Sequence, residues 1–405
     1  MSAASRWLAI VGIGEDGVEG LAPAARALIR DAGLVVGGAR HLALAAPVIT
    51  GATLPWPSPI DGAFPAILAR RGTPVAVLAS GDPFCFGIGT RLAALVPMDE
   101  IRCLPAPSAF ALACAALGWP GQDVARISFC GRPLAAIIPL LQPRARILAL
   151  SADATTPAAL AALLSARGFG SSTLHVMEAL GGPHARIRHM PASASLPTDI
   201  LPLNLVAIEV AAQPDAAILP LANGLPDALF AHDGQLTRRE IRAVTLSSLA
   251  PRAGELLWDI GSGAGSVAIE WLLAHPANAA IGIEARADRA ARAADNAVAL
   301  GVPRLQLVHG RAPAALAGLP PPDAVFIGGG AHVPGVMAAS WAALRPGGRL
   351  VANAVTIETE AALSAARQNF GGTLLRLSVE RLDAIGTMHG FRPAMTITQF
   401  MATKP

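Results

Sequence analysis

Apolar runs of strand length alternate with alanine-rich stretches along the whole chain. Each apolar run ends at Gly, Pro, Asp or Arg, and the stretches between the runs repeat apolar residues at helical spacing. Such alternation is typical of parallel sheets whose strands are joined by crossover helices. The pattern therefore predicts an α/β fold in both halves of the chain.

The apolar runs place the strands of each half. In the first half, strands are predicted at Leu8–Val11, Leu34–Val36, Val75–Ala79, Arg102–Leu104, Arg126–Phe129, Arg146–Leu150, Thr173–Met177 and Leu203–Val210, with helices such as Phe86–Leu95, Ser108–Leu117 and Pro157–Arg167. In the second half, strands are predicted at Leu256–Ile260, Ala280–Ile283, Leu305–Val308, Ala324–Ile327 and Leu350–Asn353, followed by a closing pair near Thr373–Leu382 and Met395–Phe400; helices are predicted at Ser266–Ala274 and Arg286–Leu300.

The two halves are separated by the stretch AAQPDAAILPLANGLPD, residues 211–227, which carries three prolines and no strong periodicity. We interpret it as a linker and place the boundary near Gln213, which divides the chain into domains 1–213 and 214–405. After the linker, Thr237 and Glu240 form the pattern T-x-x-E. This pattern predicts a capping box at the start of a helix.

Composition narrows the class of protein. The chain is 53% hydrophobic and 15% charged, but its apolar stretches are interrupted well before the roughly 20 residues that a membrane-spanning helix needs. The run from Trp7 to Ile13 is too short for the core of a signal peptide. The four cysteines show no spacing typical of metal ligands. We therefore expect a cytoplasmic protein with no membrane partner and no metal.

The charge of the chain bears on its partners. The formal net charge is +3, and Lys404 is the only lysine. A nucleic-acid-binding protein normally shows a basic stripe with interleaved aromatic residues, so we expect no nucleic-acid partner. Arginine binds carboxylates through two parallel hydrogen bonds, so scattered arginines suit a polyanionic small molecule.

The first glycine cluster, VGIGEDG, has the spacing of a dinucleotide-binding loop. Gly12, Gly14 and Gly17 spell G-x-G-x-x-G. NAD binding also requires a carboxylate at the tip of the second strand, where it accepts the ribose hydroxyls. The stretch DAGLVVGGARHL has no acid there, because Asp31 precedes the strand. The context therefore disfavours an NAD-dependent oxidoreductase.

The second cluster, DIGSGAG, fits a different ligand. Asp259 lies at the end of a predicted strand, and Gly261, Gly263 and Gly265 form the turn that opens the next helix, whose free amides and lack of side chains allow close approach. Glu284 ends the following strand, where it would accept both hydroxyls of a ribose; a solvated strand end is the alternative. An acid before the loop suits an ammonium or sulfonium group. These features favour S-adenosyl-L-methionine over NAD.

The second half resembles the class I methyltransferases, in particular the decarboxylating C-15-methylating enzymes of cobalamin biosynthesis. The motifs are LPDALFAHDGQLTRREIRAVTLSSLAP, GELLWDIGSGAGSVAIEW, GRAP, DAVFIGGG and RPGGRLVANAVTIET. The resemblance implies that S-adenosyl-L-methionine, and its product S-adenosyl-L-homocysteine, contacts Thr237, Gly261, Ser262, Gly263, Ala264, Gly265, Glu284 and Ala312. Arg311 stands where many methyltransferases place an aspartate, so Ala312 is expected to act through its backbone. Arg238 and Arg242, one helical turn apart, are candidates for binding substrate carboxylates, with a solvated helix face as the alternative.

The first half resembles the tetrapyrrole methylases, the class III methyltransferases. The motifs are VGIGEDG, VLASGDPFCFGIG, PAPSAFALACAALGW and EALGGPHARI, in that order. The resemblance implies two α/β subdomains with the cofactor between them, near Gly81, Asp82, Ser108 and Ala109. Ala109 replaces a serine that the family often has, and a plain turn is the alternative role for Asp82. Gly12 and Gly14 are then expected on the substrate side, where small residues leave room for a macrocycle.

The two resemblances together imply a bifunctional, homo-oligomeric methyltransferase of cobalamin biosynthesis. It would methylate C-5 and C-15 of precorrin-6B and decarboxylate the ring C acetate at C-12 to give precorrin-8X. The bridge carbons are enamine-like nucleophiles, so alignment rather than a strong base is required. No catalytic residue is assigned, although Glu240 and His389 are candidates for an acid. The alternative is a methyltransferase acting on RNA or another small molecule; a non-catalytic nucleotide-binding module fits two complete methyltransferase patterns poorly.

Overall fold

The computed structural model describes residues 6–405, which divide into two compact units. Of these residues, unit 1 comprises 6–132 and 142–217, and unit 2 comprises 133–141 and 218–405. The segment 133–141 thus groups with unit 2 although the residues on either side of it belong to unit 1. It contains the 3-10 helix Leu134–Leu140. In unit 2 this helix approaches Gly301 so closely that a Cβ there would lie 2.4 Å from Cδ of Pro139.

Unit 1 contains two five-stranded sheets, as expected for two α/β subdomains. The first sheet and its helices are β1 (Leu8–Ile13), α1 (Pro23–Arg30), β2 (Leu34–Gly37), α2 (Ala39–Ala45), β3 (Ala52–Pro55), α3 (Phe64–Leu68), β4 (Val75–Ser80), α4 (Gly89–Ala93) and β5 (Ile101–Leu104). The strands are parallel in the order β3-β2-β4-β1-β5. Leu8 and Ile10 of β1 pack into one core, and Val11 and Ile13 pack into another. Because both faces of the sheet are covered, β1 is continuously apolar.

The second sheet of unit 1 is mixed. Its elements are α5 (Ala109–Leu117), β6 (Val124–Ser128), β7 (Arg146–Leu150), α6 (Thr156–Ala166), β8 (Thr173–Glu178), β9 (Arg186–Pro191) and β10 (Asn204–Glu209). The order is β6-β7-β10-β8-β9, in which β6 and β7 are parallel and the other neighbours are antiparallel. The pattern of apolar runs predicted neither β3 nor β9. Both are edge strands whose residues are partly exposed, so neither forms a buried apolar run.

Gly12 of β1 permits a close approach between two backbone segments. A Cβ at this position would lie 1.8 Å from the carbonyl oxygen of Gly81 and 2.5 Å from the amide nitrogen of Ala106. The Ala106 amide donates to that same carbonyl at 3.1 Å. We therefore expect Gly12→Ala to force the backbone apart and to lower the free energy of unfolding of unit 1 by about 1–3 kcal/mol, as overpacking does. Hydrogen exchange of β1 and β4 amides in the full chain measures this effect.

Gly14→Ala is the matched control for Gly12→Ala. A Cβ on Gly14 would meet only Oδ1 of Asp16 at 2.6 Å, together with the rest of that carboxylate, which can rotate away. Exchange in β1 and β4 is therefore expected to stay near that of the parent protein. Equal destabilisation by the two variants would contradict the role assigned to Gly12.

Unit 2 is built on a doubly wound sheet. Its elements are α7 (Arg239–Leu249), β11 (Leu256–Ile260), α8 (Ser266–Ala274), β12 (Ala279–Glu284), α9 (Ala287–Ala299), β13 (Gln306–His309), β14 (Ala324–Ile327), α10 (Val336–Ala343), β15 (Arg349–Ala354), α11 (Ile357–Phe370), β16 (Thr373–Leu377), β17 (Glu380–Ile385), β18 (Met388–Pro393) and β19 (Ile397–Thr403). The sheet order is β13-β12-β11-β14-β15-β19-β16. The first five strands are parallel, and β19 is antiparallel to both of its neighbours. This order confirms the Rossmann-like fold.

Two predicted elements are wrong in extent. The strand Thr373–Leu382 is in fact β16 and part of β17, and β17 pairs with β18 as a separate hairpin. Every residue of β17 is exposed, so burial imposes no alternating pattern on it. The helix Phe86–Leu95 shrinks to α4, because Phe86 has a φ of 57°, outside the helical region. Among residues 6–405, no helix is both long and apolar enough to cross a membrane.

Candidate functional site

A cavity of about 750 Å³ opens in unit 2 at the carboxyl ends of the parallel strands. Its walls are the loop between β11 and α8, the tips of β12 and β14, the segment before α7, and the base of the β17–β18 hairpin. Ligands of doubly wound folds bind at this edge, where the strand order reverses, here around β11 and β14. The volume lies within the range of small-molecule and cofactor sites.

The glycine loop of DIGSGAG is shaped as its sequence predicts. Gly261, Gly263 and Gly265 have φ values of 73°, 57° and 77°, in the left-handed region that glycine tolerates. A Cβ on Gly261 would also lie 2.9 Å from the amide nitrogen of Gly329, in the loop after β14. Gly265 caps the N-terminus of α8. The loop therefore brings bare backbone and a helix N-terminus to the cavity, an arrangement that suits close contact with a ligand.

Glu284 ends β12 and lines the cavity with 5% of its surface exposed. Its Oε2 accepts the Gly263 amide at 2.9 Å, and its Oε1 accepts the Arg286 amide at 2.9 Å. Each carboxylate oxygen has two acceptor positions, so each keeps one for a further donor. The two loop amides thus fix the carboxylate at the cavity wall and leave it able to accept two hydroxyls.

Asp259 ends its strand beneath the glycine loop and also lines the cavity. Its Oδ2 accepts the Ser262 hydroxyl at 3.1 Å and the Ala268 amide at 3.2 Å. Its Oδ1 is buried and has no hydrogen-bond partner within residues 6–405. Burial raises the pKa of Asp259 to about 7, and the charge of Glu284 adds to the rise. A cation in the cavity would satisfy the unpaired oxygen and favour the ionised carboxylate.

Most residues predicted for the second half meet at this one cavity. The cavity wall includes Thr237, Arg238, Gly261, Ser262, Gly263, Ala264, Glu284 and Ala312. Gly265 lies behind the wall, where a Cβ would lie 3.1 Å from Cβ of Ala293. Arg311 is exposed at the cavity.

Arg242 does not reach the cavity, so its prediction as a substrate-binding residue is corrected. Its side chain has no exposed surface. The guanidinium donates to Glu270 at 2.5 Å, to Asp227 at 3.2 Å, and to the backbone carbonyls of Leu225 and Thr237. These partners surround the guanidinium inside unit 2, so a ligand carboxylate has no access to it. Arg242 therefore forms a buried ion pair.

The capping box predicted for Thr237 and Glu240 is also wrong. Helix α7 begins at Arg239, its N-cap is Arg238, and no side chain caps it. The carboxylate of Glu240 instead bonds Arg381 on β17. The sequence did not predict this partner, because Arg381 lies more than a hundred residues after Glu240 in the chain. The other candidate acid, His389, lies exposed on β18.

In unit 1, the structure brings the predicted residues of two loops together. Gly81 has a φ of 54°, and a Cβ there would lie 2.9 Å from Cα of Ser108. The Oδ1 of Asp82 accepts the Phe84 amide at 2.9 Å, so Asp82 does form the turn considered as its alternative role. Ser108 caps α5 by accepting the Ala111 amide at 3.2 Å, and Ala109 is the first residue of that helix. The cofactor contacts of these four residues stay a prediction.

The expected role of Gly12 is corrected. The space at its Cα is filled by the Gly81 carbonyl, so its small size serves the packing of that loop rather than leaving room for a macrocycle. Gly14 has more open surroundings, limited only by the exposed side chain of Asp16. Its place on the substrate side stays a prediction.

A polar cluster next to Gly81 was not predicted from the sequence; its members are Glu15, Arg40, His41 and Ser80. Arg40 pairs with Glu15 and donates to Ser80 Oγ at 3.0 Å, and His41 Nε2 lies 2.8 Å from the same hydroxyl. Burial lowers the pKa of His41 to about 4, and the Arg40 charge adds to the effect. The cluster therefore places a neutral imidazole next to Gly81. No single motif marks it, since Glu15 lies in the loop after β1, Arg40 and His41 lie in α2, and Ser80 ends β4.

Two family models match different stretches of the chain. A family model for tetrapyrrole (corrin/porphyrin) methylases matches residues 8–194, and a model for a precorrin methyltransferase domain matches residues 228–404. The chain is 54% identical to a precorrin-6Y C(5,15)-methyltransferase [decarboxylating] of a Sinorhizobium species, over 99% of this chain and 97% of the relative.

Two shorter relatives carry single reactions in their names. A cobalt-precorrin-7 C(5)-methyltransferase of Salmonella typhimurium is 34% identical over 46% of this chain and 92% of its own length. A probable cobalt-precorrin-6B C(15)-methyltransferase (decarboxylating) of Saccharolobus solfataricus is 37% identical over 34% of this chain and 71% of its own length.

Proposed function

Because this chain belongs to the family of precorrin-6Y C(5,15)-methyltransferases (decarboxylating), we propose that it methylates C-5 and C-15 of a single precorrin and removes one carbon dioxide. It is thus a methyltransferase of cobalamin biosynthesis. The proposed substrate is precorrin-6B, which we equate with the precorrin-6Y of the family name. The ring C acetate loses its carboxylate, and the product is precorrin-8X.

We further propose that the two reactions are divided between the two halves of the chain. Residues 8–194 and 228–404 match different methyltransferase models. The relatives named for C(5) methylation and for C(15) methylation with decarboxylation are shorter proteins, each matching less than half of this chain. The first half is assigned C-5 methylation. The second half is assigned C-15 methylation and decarboxylation.

The cavity of unit 2 carries the proposal, because its residues fit S-adenosyl-L-methionine. The fixed carboxylate of Glu284 has the acceptors for two ribose hydroxyls. Asp259 lines the cavity and its Oδ1 has no hydrogen-bond partner within residues 6–405, so an ammonium or sulfonium group bound there would satisfy this oxygen. The three glycines of the loop from Gly261 to Gly265 carry no side chains, so a ligand can come close to the backbone of this loop. A pyrophosphate would face two carboxylates at this position, which disfavours NAD.

The chain's own task in methyl transfer is alignment. When bound, S-adenosyl-L-methionine supplies an electrophilic methyl group. Glu284 and the glycine loop orient the donor, and the walls of the cavity exclude water from the reacting carbons. Holding two reactants in line is worth on the order of 7–11 kcal/mol at best. A bridge carbon of the macrocycle is already nucleophilic, so no strong base is required of the cavity residues.

In unit 1, Gly81, Asp82, Ser108 and Ala109 are proposed to hold a second S-adenosyl-L-methionine. The support is that the two loops lie so close that a Cβ on Gly81 would be 2.7 Å from the carbonyl oxygen of Pro107, and that α5 begins there with Ser108 as its N-cap. Such helix starts expose free backbone amides. The cytoplasmic location, the homo-oligomeric state and the substrate-side positions of Gly14 and Arg238 are likewise predictions.

Mass spectrometry tests the proposed function. The full chain is incubated with precorrin-6B and S-adenosyl-L-methionine, and the product is expected to gain two methyl groups and lose one carbon dioxide. A product with one methyl group and no decarboxylation would contradict the assignment. RNA incubated with the chain and the labelled donor is expected to stay unlabelled; labelled RNA would favour the alternative substrate.

Asp259→Asn tests the cationic side of the cofactor site. Because the pKa of Asp259 is raised to about 7, part of the population is protonated near neutral pH. A bound ammonium group favours the ionised form and lowers that pKa, so the protein releases a proton on binding at pH 6.5. Calorimetry of S-adenosyl-L-homocysteine binding in buffers of different ionisation enthalpy measures this release.

The asparagine variant is expected to release fewer protons than the parent protein, because residue 259 no longer titrates. It should also bind more weakly. Any proton exchange at the unit 1 site is common to both proteins and cancels in the difference. Identical proton release by the two proteins would contradict the proposed contact.

A further inference from the structure

An exposed ion pair lies across the cavity of unit 2. Arg381 is on β17 of the hairpin, and Glu240 is in the first turn of α7. Their side chains form an ion pair, yet remain 48% and 45% exposed. Both residues line the cavity. The pair therefore links the hairpin to the helix at the wall of the cavity.

Three other arginines line the cavity, and their surroundings differ from those of Arg381. Arg238 lies 3.5 Å from Asp227, and Arg289 lies 2.8 Å from Asp233. Neither aspartate is part of the cavity wall as the structure describes it. The third, Arg311, is exposed and forms no ion pair with the residues that the structure describes, so no carboxylate marks it as a binding position. Arg381 differs because its partner Glu240 also lines the cavity. The guanidinium of Arg381 is thus able to bind a carboxylate located at the cavity wall.

The pair is weak enough to exchange. Ion pairs between half-exposed side chains contribute only about 0–1 kcal/mol, because water screens the attraction and both side chains lose freedom. A guanidinium binds an incoming carboxylate through two parallel hydrogen bonds as well as it binds Glu240. A ligand carboxylate can therefore replace Glu240 at little cost, provided that the rest of the ligand is held in the cavity.

We propose that Arg381 binds a side-chain carboxylate of the tetrapyrrole substrate, and that Glu240 occupies this guanidinium until the substrate replaces it. The inference rests on the proposed function, in which unit 2 acts on a macrocycle that bears acetate groups. Val379, Ala394 and Met395, at the base of the same hairpin, also line the cavity. The Ala394 amide donates to the Val379 carbonyl at 2.9 Å and closes that base. Arg381 thus projects from a hydrogen-bonded part of the wall.

Steady-state release of carbon dioxide from precorrin-6B by the full chain tests this inference, because decarboxylation reports on unit 2. Arg381→Ala is expected to raise KM about tenfold, as loss of one charge-assisted pair does, with kcat within about twofold. Arg381→Lys should recover part of the loss, since it keeps the charge without the fork. Glu240→Gln is expected to lower KM, because the competing carboxylate is gone.

Arg392→Ala is the matched control. Arg392 pairs across the hairpin with Arg381 in the strand register, and its guanidinium lies 3.0 Å from Asp383. It is exposed and outside the cavity wall, so its loss should leave KM unchanged. The affinity for S-adenosyl-L-homocysteine should be unchanged in all of these variants, which separates substrate binding from cofactor binding.

The two possible failures are distinguishable. If the parent protein releases no carbon dioxide from precorrin-6B, the proposed function fails and the inference falls with it. If the parent protein is active but Arg381→Ala has the KM of Arg392→Ala, the inference alone is overturned. A KM that rises in Glu240→Gln would overturn the exchange between Glu240 and the substrate.

Discussion

Replacing Glu284 by alanine is expected to weaken the binding of S-adenosyl-L-homocysteine to unit 2 about 100-fold. Two ribose hydroxyls would lose the carboxylate to which they donate, a loss of about 3 kcal/mol together, and each 1.4 kcal/mol is a factor of ten. The amides of Gly263 and Arg286 would lose the acceptor that fixes them, so the glycine loop would also be less ordered. Calorimetric titration of the full chain measures the change.

The full chain is expected to show two binding sites, one in each unit, and the variant should keep only the unit 1 site at unchanged affinity. Glu358→Ala is the control, because Glu358 is exposed on α11 of the same unit and does not line the cavity. It should bind as the parent protein does. Two sites of unaltered affinity in Glu284→Ala would show that this carboxylate does not hold the ribose.

Replacing Arg242 by methionine is expected to lower the free energy of unfolding of unit 2 by about 3–5 kcal/mol. The side chain is completely buried, and its partner Glu270 is 2% exposed. Methionine would leave that carboxylate charged and without its guanidinium, although Glu270 would still accept the Gly224 and Leu225 amides. Hydrogen exchange of β11 and β12 amides in the full chain measures the loss.

Two further variants distinguish the destabilising effect of an unpaired buried charge from the effect of replacing any arginine. Arg242→Met combined with Glu270→Gln should recover part of the lost stability, because glutamine leaves no unpaired charge. Arg367→Met replaces an exposed arginine on α11 and should change the free energy of unfolding by less than about 0.5 kcal/mol. Equal effects of Arg242→Met and Arg367→Met would contradict a stabilising buried ion pair.

The glycine loop and the Glu284 carboxylate at the unit 2 cavity were predictable because their pattern is local in sequence. Gly261, Gly263 and Gly265 all require left-handed backbone, and glycine is the residue that adopts it without strain. Glu284 follows from the length of one helix and one strand, which returns the chain to the same edge of a parallel sheet. The glycine spacing and the position of Glu284 can therefore be interpreted without knowledge of the rest of the fold.

The charged residues on the other wall of the cavity were less predictable because their partners come from distant segments. Helical spacing grouped Arg238 with Arg242, but only tertiary packing shows that Arg242 faces Glu270 inside the unit. The T-x-x-E pattern around Glu240 suggested a cap, whereas a hairpin far along the chain supplies its actual partner, Arg381. A local pattern cannot reveal which of two chemically equal arginines is solvent-facing.

By itself, the sequence determined the α/β class and the glycine loop with its acidic partner, because both depend on periodicity or on short-range backbone geometry; its motifs carried the resemblance to the family. The tertiary structure alone decided which charges are buried, why Gly12 must be glycine, that residues 133–141 group with unit 2, and that Glu240 and Arg381 meet at the cavity. These depend on contacts between residues far apart in the chain, whose partners no local pattern specifies.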